Sequence, residues 1–209
     1  MRVAILLVVG LLLVGCGGND NDSSGGGNAT MDCEIGGDES KAELAELEDG
    51  KTHSVVVDTS KGAFTFDLAT DISPCTTASF AGLVQKGFFD GLTFHRIVPG
   101  FVIQGGDPLG DGTGGPGYST VDAPPPDTTY DKGLVAMAKA GNEPAGTSGS
   151  QFFVVSADGV QLDPDYAVLG QVTDGIDVVE TIGELGNASD PSGAPTERVE
   201  IDKMELKSG

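Results

Sequence analysis

One segment of the sequence combines polar side chains able to donate hydrogen bonds with a high density of apolar residues. It runs from Phe94 to Pro108 and reads FHRIVPGFVIQGGDP. Arg96 is its only lysine or arginine. In an extended chain alternate residues share a face, so Phe94, Arg96 and Val98 are predicted to lie together. Such a surface offers a guanidinium and the Gln104 carboxamide beside apolar side chains, and it has no obvious nucleophile.

Turns and helix signals surround this segment. The strands His53–Asp58 and Gly62–Leu68 are predicted to form a hairpin. A helix is predicted over Ser73–Lys86, because Ser73 and the following proline suit a helix start and Gly87 suits its end. A second helix is predicted over Ile176–Ile182.

Many short strands accompany these two helices. This pattern indicates a closed or nearly closed antiparallel barrel, since closure removes exposed strand edges. The sequence thus predicts one mostly β domain over residues 51–207. The further strands are predicted at Thr93–Val98, Phe101–Gln104, Gly133–Ala138, Gln151–Ser156, Ala167–Val172 and Val199–Leu206.

The segment around Arg96 resembles the signature of the cyclophilins, the cyclosporin-binding family of peptidyl-prolyl isomerases. The resemblance covers roughly residues 53–207 and implies a closed eight-stranded barrel capped by two helices, with the active groove on its outer surface. It implies isomerisation of X–Pro bonds without a cofactor, a metal or a covalent step. The pattern continues through Gly114–Tyr118, Met137–Gly141, Gly149–Phe153, Leu162–Asp163 and Val168–Val172.

The resemblance implies a role for each matching residue. Arg96 donates to the proline nitrogen, Gln104 orients the substrate backbone, and His95 lines the groove. Gln161 stands where many eukaryotic members carry tryptophan, so we expect weak cyclosporin binding. The implied hydrophobic proline pocket consists of Phe101, Val102, Phe153 and Leu162, with Tyr166 as an aromatic wall. The positions implied to hold the residues before the proline are Ala138, Lys139 (through its backbone), Ala140 and Gln151. Phe94 and Phe152 are predicted to be core residues.

Two other functions compete with catalysis by an isomerase. A binding module or holdase would capture proline-containing segments without turnover. A hydrolase would need His95 to reach Ser148 or Ser150, and neither serine lies in a G-x-S-x-G motif.

The charge balance limits the partners. The chain has 11 Lys and Arg against 32 Asp and Glu, a formal net charge of −21. A nucleic-acid binder needs a basic face that this chain lacks. We expect the partners to be proline-containing unfolded or flexible polypeptides, with acidic ones disfavoured except near Lys139, and we expect a monomer.

The N-terminus has the pattern of an export signal. An apolar run over Val3–Val14 spans only ~18 Å as a helix, too short to cross a bilayer. The following Leu13–Cys16 resembles the bacterial lipobox, which predicts removal of residues 1–15 and lipidation of Cys16. The alternatives are a plain secretory signal or a short buried helix. Lipidation predicts an extracytoplasmic protein, anchored to a membrane of the cell envelope.

Residues 16–50 are predicted to be a flexible tether and a weakly ordered acidic lead-in, with a short helix over Glu39–Glu48. Cys33 lies in this lead-in and Cys75 in the domain. An exported protein occupies a compartment where disulfides persist, so the two are predicted to pair. The alternative is two free thiols.

Overall fold

A computed structural model describes residues 32–209 of the chain. The predicted signal segment and Cys16 lie outside these residues. The described strands are β1 (Ile35–Gly37), β2 (His53–Thr59), β3 (Gly62–Leu68), β4 (Arg96–Val98), β5 (Val102–Gly105), β6 (Tyr118–Val121), β7 (Leu134–Met137), β8 (Thr147–Ser148), β9 (Phe152–Val155), β10 (Val168–Asp174) and β11 (Ile201–Ser208). The α-helices are α1 (Pro74–Gln85) and α2 (Ile176–Gly183). Within residues 32–209 neither helix has the length and apolar character needed to cross a membrane.

Eight strands form one antiparallel sheet in the order β11-β2-β3-β10-β7-β9-β5-β4. The sheet curls into a half-barrel and stays open, so the prediction of a closed barrel is wrong. β4 has three residues and ends before Pro99, which has no N–H to extend the ladder. The Ile97 N–H donates to the Gly193 carbonyl, at 2.7 Å. A loop therefore covers β4, and on this side the start of β11 bonds, among the described residues, only to those that precede β4, next to the isolated bridge between Thr93 and Glu200.

Both helices contribute to the main core. Phe80 of α1 is fully buried, and its ring packs against Phe66, Phe89 and Phe152 at centroid distances of 6.0, 4.6 and 5.5 Å. Phe94 and Phe152 are also fully buried, which confirms that they are core residues. The aromatic cluster fixes α1 against the inner side of the sheet.

Helix α1 begins and ends close to the predicted positions, and Ser73 is its N-cap residue, as predicted. The Ser73 side chain itself bonds no N–H of the first turn. Asp122 supplies that side-chain bond, because its carboxylate accepts from the Thr76 N–H at 2.6 Å. At the other end, Gly87 has a φ of +67°, which suits glycine after a helix.

The lead-in is more ordered than its composition indicates. The predicted helix over Glu39–Glu48 is wrong, since only Glu39–Lys41 forms a short 3-10 turn. Strand β1 pairs with β6 in a second, three-stranded sheet of order β1-β6-β8. Cys33 and Cys75 form a disulfide that joins the lead-in to the first turn of α1. Part of the lead-in is therefore packed on the domain.

We expect reduction of the Cys33–Cys75 bond to lower the free energy of unfolding by about 2–4 kcal/mol, because the cross-link restricts the unfolded chain. The two cysteines are separated by 42 positions, so the loop they close is long. Urea titrations with and without a dithiol reductant measure the change. Intact mass should rise by two hydrogens.

The double variant Cys33→Ser/Cys75→Ser is the control, because its unfolding midpoint should not respond to the reductant. An unchanged mass after reduction of the denatured wild-type protein would show that the thiols are free and would contradict the pairing.

Candidate active site

A row of side chains crosses β4, β5 and β9 on the outer face of the sheet. Arg96 pairs with Gln104, and Gln104 pairs with Phe153. Residues paired directly across neighbouring strands point to the same face. Strand register therefore places a guanidinium, a carboxamide and an aromatic ring side by side. Phe94, predicted to share this face with Arg96, instead precedes β4 and lies in the main core.

Apolar side chains beside this row form a pocket. A second hydrophobic cluster on the outer face contains Val102 and Phe153, with Phe101, Leu162 and Tyr166 packed against it. The cavity there has a volume of about 240 Å³. We call it the apolar pocket, and its lining consists of Arg96, Phe101, Val102, Gln104, Ala138, Lys139, Phe153, Leu162 and Tyr166. The other predicted contacts, Ala140 and Gln151, line an adjoining cavity.

The carboxamides of Gln104 and Gln151 are each held in one orientation. Gln151 Nε2 donates to the carbonyl oxygens of Gly112 and Gly114, at 3.0 and 2.9 Å. Its Oε1 accepts from Gln104 Nε2 at 3.1 Å. Gln104 Oε1 consequently faces Arg96, whose Nη1 lies 3.4 Å away. Two glycine carbonyls thus set the direction of a chain of hydrogen bonds that ends at the guanidinium.

Asp107 holds the loop that supplies those carbonyls. Its buried carboxylate accepts from the N–H groups of Leu109, Asp111 and Gly112, at 2.8, 3.0 and 2.5 Å. A Cβ added at Gly114 would lie 2.0 Å from Asp107 Oδ1, so the loop can close only over glycine. Asp107 was not among the residues predicted from the sequence to form the site.

In the part of the chain that the structure describes, the Arg96 guanidinium has no carboxylate partner. Within residues 32–209 no Asp or Glu forms an ion pair with it, in a chain of 32 acidic residues. Its aliphatic stem packs against Gly193, where an added Cβ would lie 2.9 Å from Arg96 Cγ. Gly193 has a φ of +76°, which also disfavours a side chain. Its guanidinium therefore remains available to a ligand.

Lys139 presents its backbone to the site. Its side chain is 3% exposed, and Nζ lies 2.5 Å from Asp165 Oδ2 and 3.0 Å from the Glu143 carbonyl. The ammonium is thus already paired with Asp165, which weakens its attraction for acidic substrates. In the described part of the chain the Lys139 N–H and C=O have no hydrogen-bond partner. Both groups can bind an extended peptide.

His95 lies next to Arg96 but outside the lining of the apolar pocket. Both ring nitrogens are buried and, within residues 32–209, lack a hydrogen-bond partner. Burial lowers the pKa of His95 below its ordinary value, although the negative charge of Asp107 acts in the opposite direction. His95 therefore favours the neutral state.

The serines of the hydrolase alternative are bonded elsewhere. Ser148 Oγ donates to the Gly146 carbonyl and Ser150 Oγ to the Gly106 carbonyl. Neither serine pairs with His95 among the residues that the structure describes. The arrangement does not form a serine–histidine nucleophile.

Tyr130 supports the pocket and was not identified from the sequence. Its hydroxyl donates to the Tyr166 carbonyl at 2.7 Å and accepts from the Tyr166 N–H at 3.0 Å. The Tyr166 ring in turn meets Phe153 edge to face, at a centroid distance of 5.4 Å. Burial raises the pKa of Tyr130, so the hydroxyl stays protonated. An isolated tyrosine in an acidic loop carries no spacing signal for this role.

Comparisons with known proteins agree with this geometry. The family model described as "Cyclophilin type peptidyl-prolyl cis-trans isomerase/CLD" matches residues 54–206. Peptidyl-prolyl cis-trans isomerase B of Bacillus subtilis (strain 168) is 43% identical over 118 residues, which are 56% of this chain and 80% of the relative. The peptidyl-prolyl cis-trans isomerase of Helicobacter pylori (strain ATCC 700392 / 26695) is 37% identical over 143 residues, which are 67% of this chain and 86% of the relative.

Solved structures show the same fold. The crystal structure of a Cryptosporidium parvum cyclophilin type peptidyl-prolyl cis-trans isomerase is 30% identical with a TM-score of 0.66, covering 76% of this chain and 99% of the other. A second structure of that protein, in the presence of the dipeptide Ala-Pro, has a TM-score of 0.65 and 31% identity. It covers 75% of this chain and 99% of the other. The chain belongs to the cyclophilin-type family. It is a peptidyl-prolyl cis-trans isomerase.

The lowered pKa of His95 predicts a loss of stability in acid. Its pKa is lowered in the folded protein, so the unfolded chain binds the proton more readily. We expect the free energy of unfolding to fall as the pH drops through about 6.5, the ordinary histidine pKa, until it passes the lower folded-state pKa. Urea titrations at a series of pH values measure this slope.

A His95→Gln variant should have a shallower slope over this range. The matched control is His53→Gln, which replaces the other histidine of the chain and should retain the contribution of His95. Equal slopes for the wild type and His95→Gln would contradict the prediction.

Proposed function

We propose that this isomerase is a lipid-anchored protein of the bacterial cell envelope, where it assists the folding of exported chains, and that Arg96 supplies the catalytic hydrogen bond. The observation that carries the catalytic part is the unpaired guanidinium beside the apolar pocket. The observation that carries the location is the resemblance of Leu13–Cys16 to a lipobox.

The apolar pocket accounts for recognition of the proline. Its walls of Phe101, Phe153, Leu162 and Tyr166 suit a saturated ring, and its volume of about 240 Å³ suits one side chain. The related Cryptosporidium protein studied with Ala-Pro supports a ligand of this class. Gln161 beside it is exposed and offers no large flat surface, so weak cyclosporin binding remains our prediction.

Arg96 accounts for the acceleration of X–Pro isomerisation. Rotation about an X–Pro bond meets a barrier of about 18–20 kcal/mol because the amide is resonance-stabilised. Reaching the millisecond range requires a barrier lower by roughly 6 kcal/mol. In the twisted amide the proline nitrogen becomes pyramidal and its lone pair, no longer delocalised into the carbonyl, becomes an acceptor to which Arg96 can donate. The planar ground state offers this donor little, so the interaction stabilises the transition state selectively.

The backbone around Lys139 holds the rest of the substrate. Its free N–H and C=O can bind the residue before the proline in an extended conformation. The neighbouring Ala140 N–H is less available, because it donates to Glu143 Oε2 at 2.6 Å. The Lys139 backbone holds the residue before the proline, and the apolar pocket holds the proline. Rotation then takes place about the amide bond that joins these two residues of the substrate.

An Arg96→Ala variant tests the catalytic proposal. We expect kcat/KM in a protease-coupled assay on an Ala-Pro peptide to fall about 10²–10³-fold, as for other lost transition-state donors. Peptide affinity, measured by titration, should fall much less. The matched control is Arg198→Ala, which removes an exposed arginine paired with Glu200 at 2.8 Å and should keep full activity.

Equal rates for the wild type and Arg96→Ala would overturn the role of Arg96. Absence of turnover in the wild type, with retained binding of proline peptides, would favour the holdase alternative.

A Cys16→Ser variant tests the anchor. Lipidation requires the thiol, so the wild type should be recovered with membranes and carry a diacylglycerol-sized mass increase on Cys16, whereas the variant should be recovered without lipid. The Cys33→Ser/Cys75→Ser protein is the control and should remain in the membrane fraction. A mature wild-type protein that keeps residues 1–15, or carries an unmodified Cys16, would overturn the proposed anchor.

A further inference from the structure

A second cavity adjoins the apolar pocket. It has a volume of about 670 Å³ and shares Gln104, Ala138 and Lys139 with the apolar pocket. We call it the adjoining cavity. A peptide with its proline in the apolar pocket and the preceding residue at Lys139 would reach this cavity with the side chain two positions before the proline, since an extended chain advances about 3.3 Å per residue.

One wall of the adjoining cavity comes from the lead-in. Gly36 and Gly37 of β1 belong to its lining, opposite the loop that contains Gly112 and Gly114. The register pairs Gly36 with Ser119 and Gly37 with Tyr118 of β6. The wall is therefore a strand added to the domain from outside the eight-stranded sheet.

β1 is held in place on both sides. Before it, the Cys33–Cys75 disulfide ties the chain to α1. After it, the Tyr118 hydroxyl accepts from the Glu43 N–H at 3.1 Å, and the Ala45 N–H donates to the Ala78 carbonyl of α1 at 2.9 Å. These contacts fix a strand of three residues, two of them glycine, none of which is fully buried.

The charges around the adjoining cavity are already engaged. The Lys139 ammonium pairs with Asp165, and the Glu143 carboxylate accepts from the Ala140 N–H. Lys41, which lies over Gly117 at the edge of the cavity, pairs with Asp38 at 3.5 Å. The two lysines are thus paired and Glu143 keeps its negative charge, so the cavity has no free cation to attract an acidic side chain, and its volume suits a large one.

We propose that β1 is a specificity-determining wall of this isomerase, which makes turnover depend on a large, non-acidic side chain two residues before the proline. The proposal rests on the proposed seating of proline in the apolar pocket. It predicts that loosening β1 abolishes this dependence while leaving the chemistry at Arg96 intact.

The test compares two peptides, Phe-Ala-Pro-Phe and Gly-Ala-Pro-Phe, by their kcat/KM values. The wild type should favour the first peptide by about fivefold or more, within the range that single apolar contacts provide. In Cys33→Ser/Cys75→Ser the preference should approach unity, with kcat/KM for the glycine peptide nearly unchanged. Gly36→Pro should act in the same way with both cysteines present, because a Cβ there meets Ser119 Oγ at 2.6 Å.

The matched control is Lys86→Ala, which removes an exposed ion pair to Glu43 of the lead-in, and neither residue belongs to the lining of the cavity. It should keep the wild-type preference. A measurement on the wild type alone covers the case in which the β1 variants do not fold. In NMR titrations the amide signals of Gly36 and Gly37 should shift with the phenylalanine peptide and not with the glycine peptide.

Wild-type activity without a preference, an unchanged preference in folded β1 variants, or unshifted Gly36 and Gly37 signals would each overturn the role of β1. Failure of the proposed seating is a separate outcome. If the proline does not bind in the apolar pocket, neither peptide would shift the amide signals of the residues that line it.

Discussion

The pairing of β4, β5 and β9 is the constraint on which the site depends. A slip of one residue in either pairing would turn Arg96 or Phe153 toward the core. Each member of the outer row has an inward neighbour one position along its strand, and these neighbours pair with one another and are fully buried: Ile97, Ile103 and Val154. The packing that stabilises the sheet therefore also sets the positions of the three outer side chains.

An acidic protein that is to catalyse with a guanidinium, as we propose for Arg96, must keep carboxylates away from it. The nearest orienting group for Arg96 is the neutral carboxamide of Gln104, which is itself aligned by Gln151. A carboxylate in that place would pair with the arginine and weaken its donation to a substrate nitrogen. Asp107 is close in sequence, but its oxygens are occupied by backbone N–H groups. The hydrogen bonds of Gln104 and Gln151 thus orient the Arg96 guanidinium without neutralising its charge.

Local patterns in the sequence predicted most of the strands, both helices and the residues of the apolar pocket. They failed where the structure depends on contacts between distant segments. The closed barrel was wrong because the loop at Gly193 occupies the edge of β4. The role of β1 was not foreseen, since glycines carry no side-chain pattern and the strand exists through its partner β6. Tyr130 and Asp107 support the site from loops, and no spacing marks them.

An open sheet has two edges to which a foreign strand can add. The edge of β4 is covered by a loop, whereas β11 carries alternating charges along one face at Lys203, Glu205 and Lys207. Hydrogen bonds from the two lysines, each at 2.6 Å, lower the pKa of Glu205 to about 2, so this row stays ionised in all but strong acid. An incoming strand would have to desolvate it. For an enzyme whose substrates are extended polypeptides, this row limits co-aggregation, because it discourages those chains from joining the sheet.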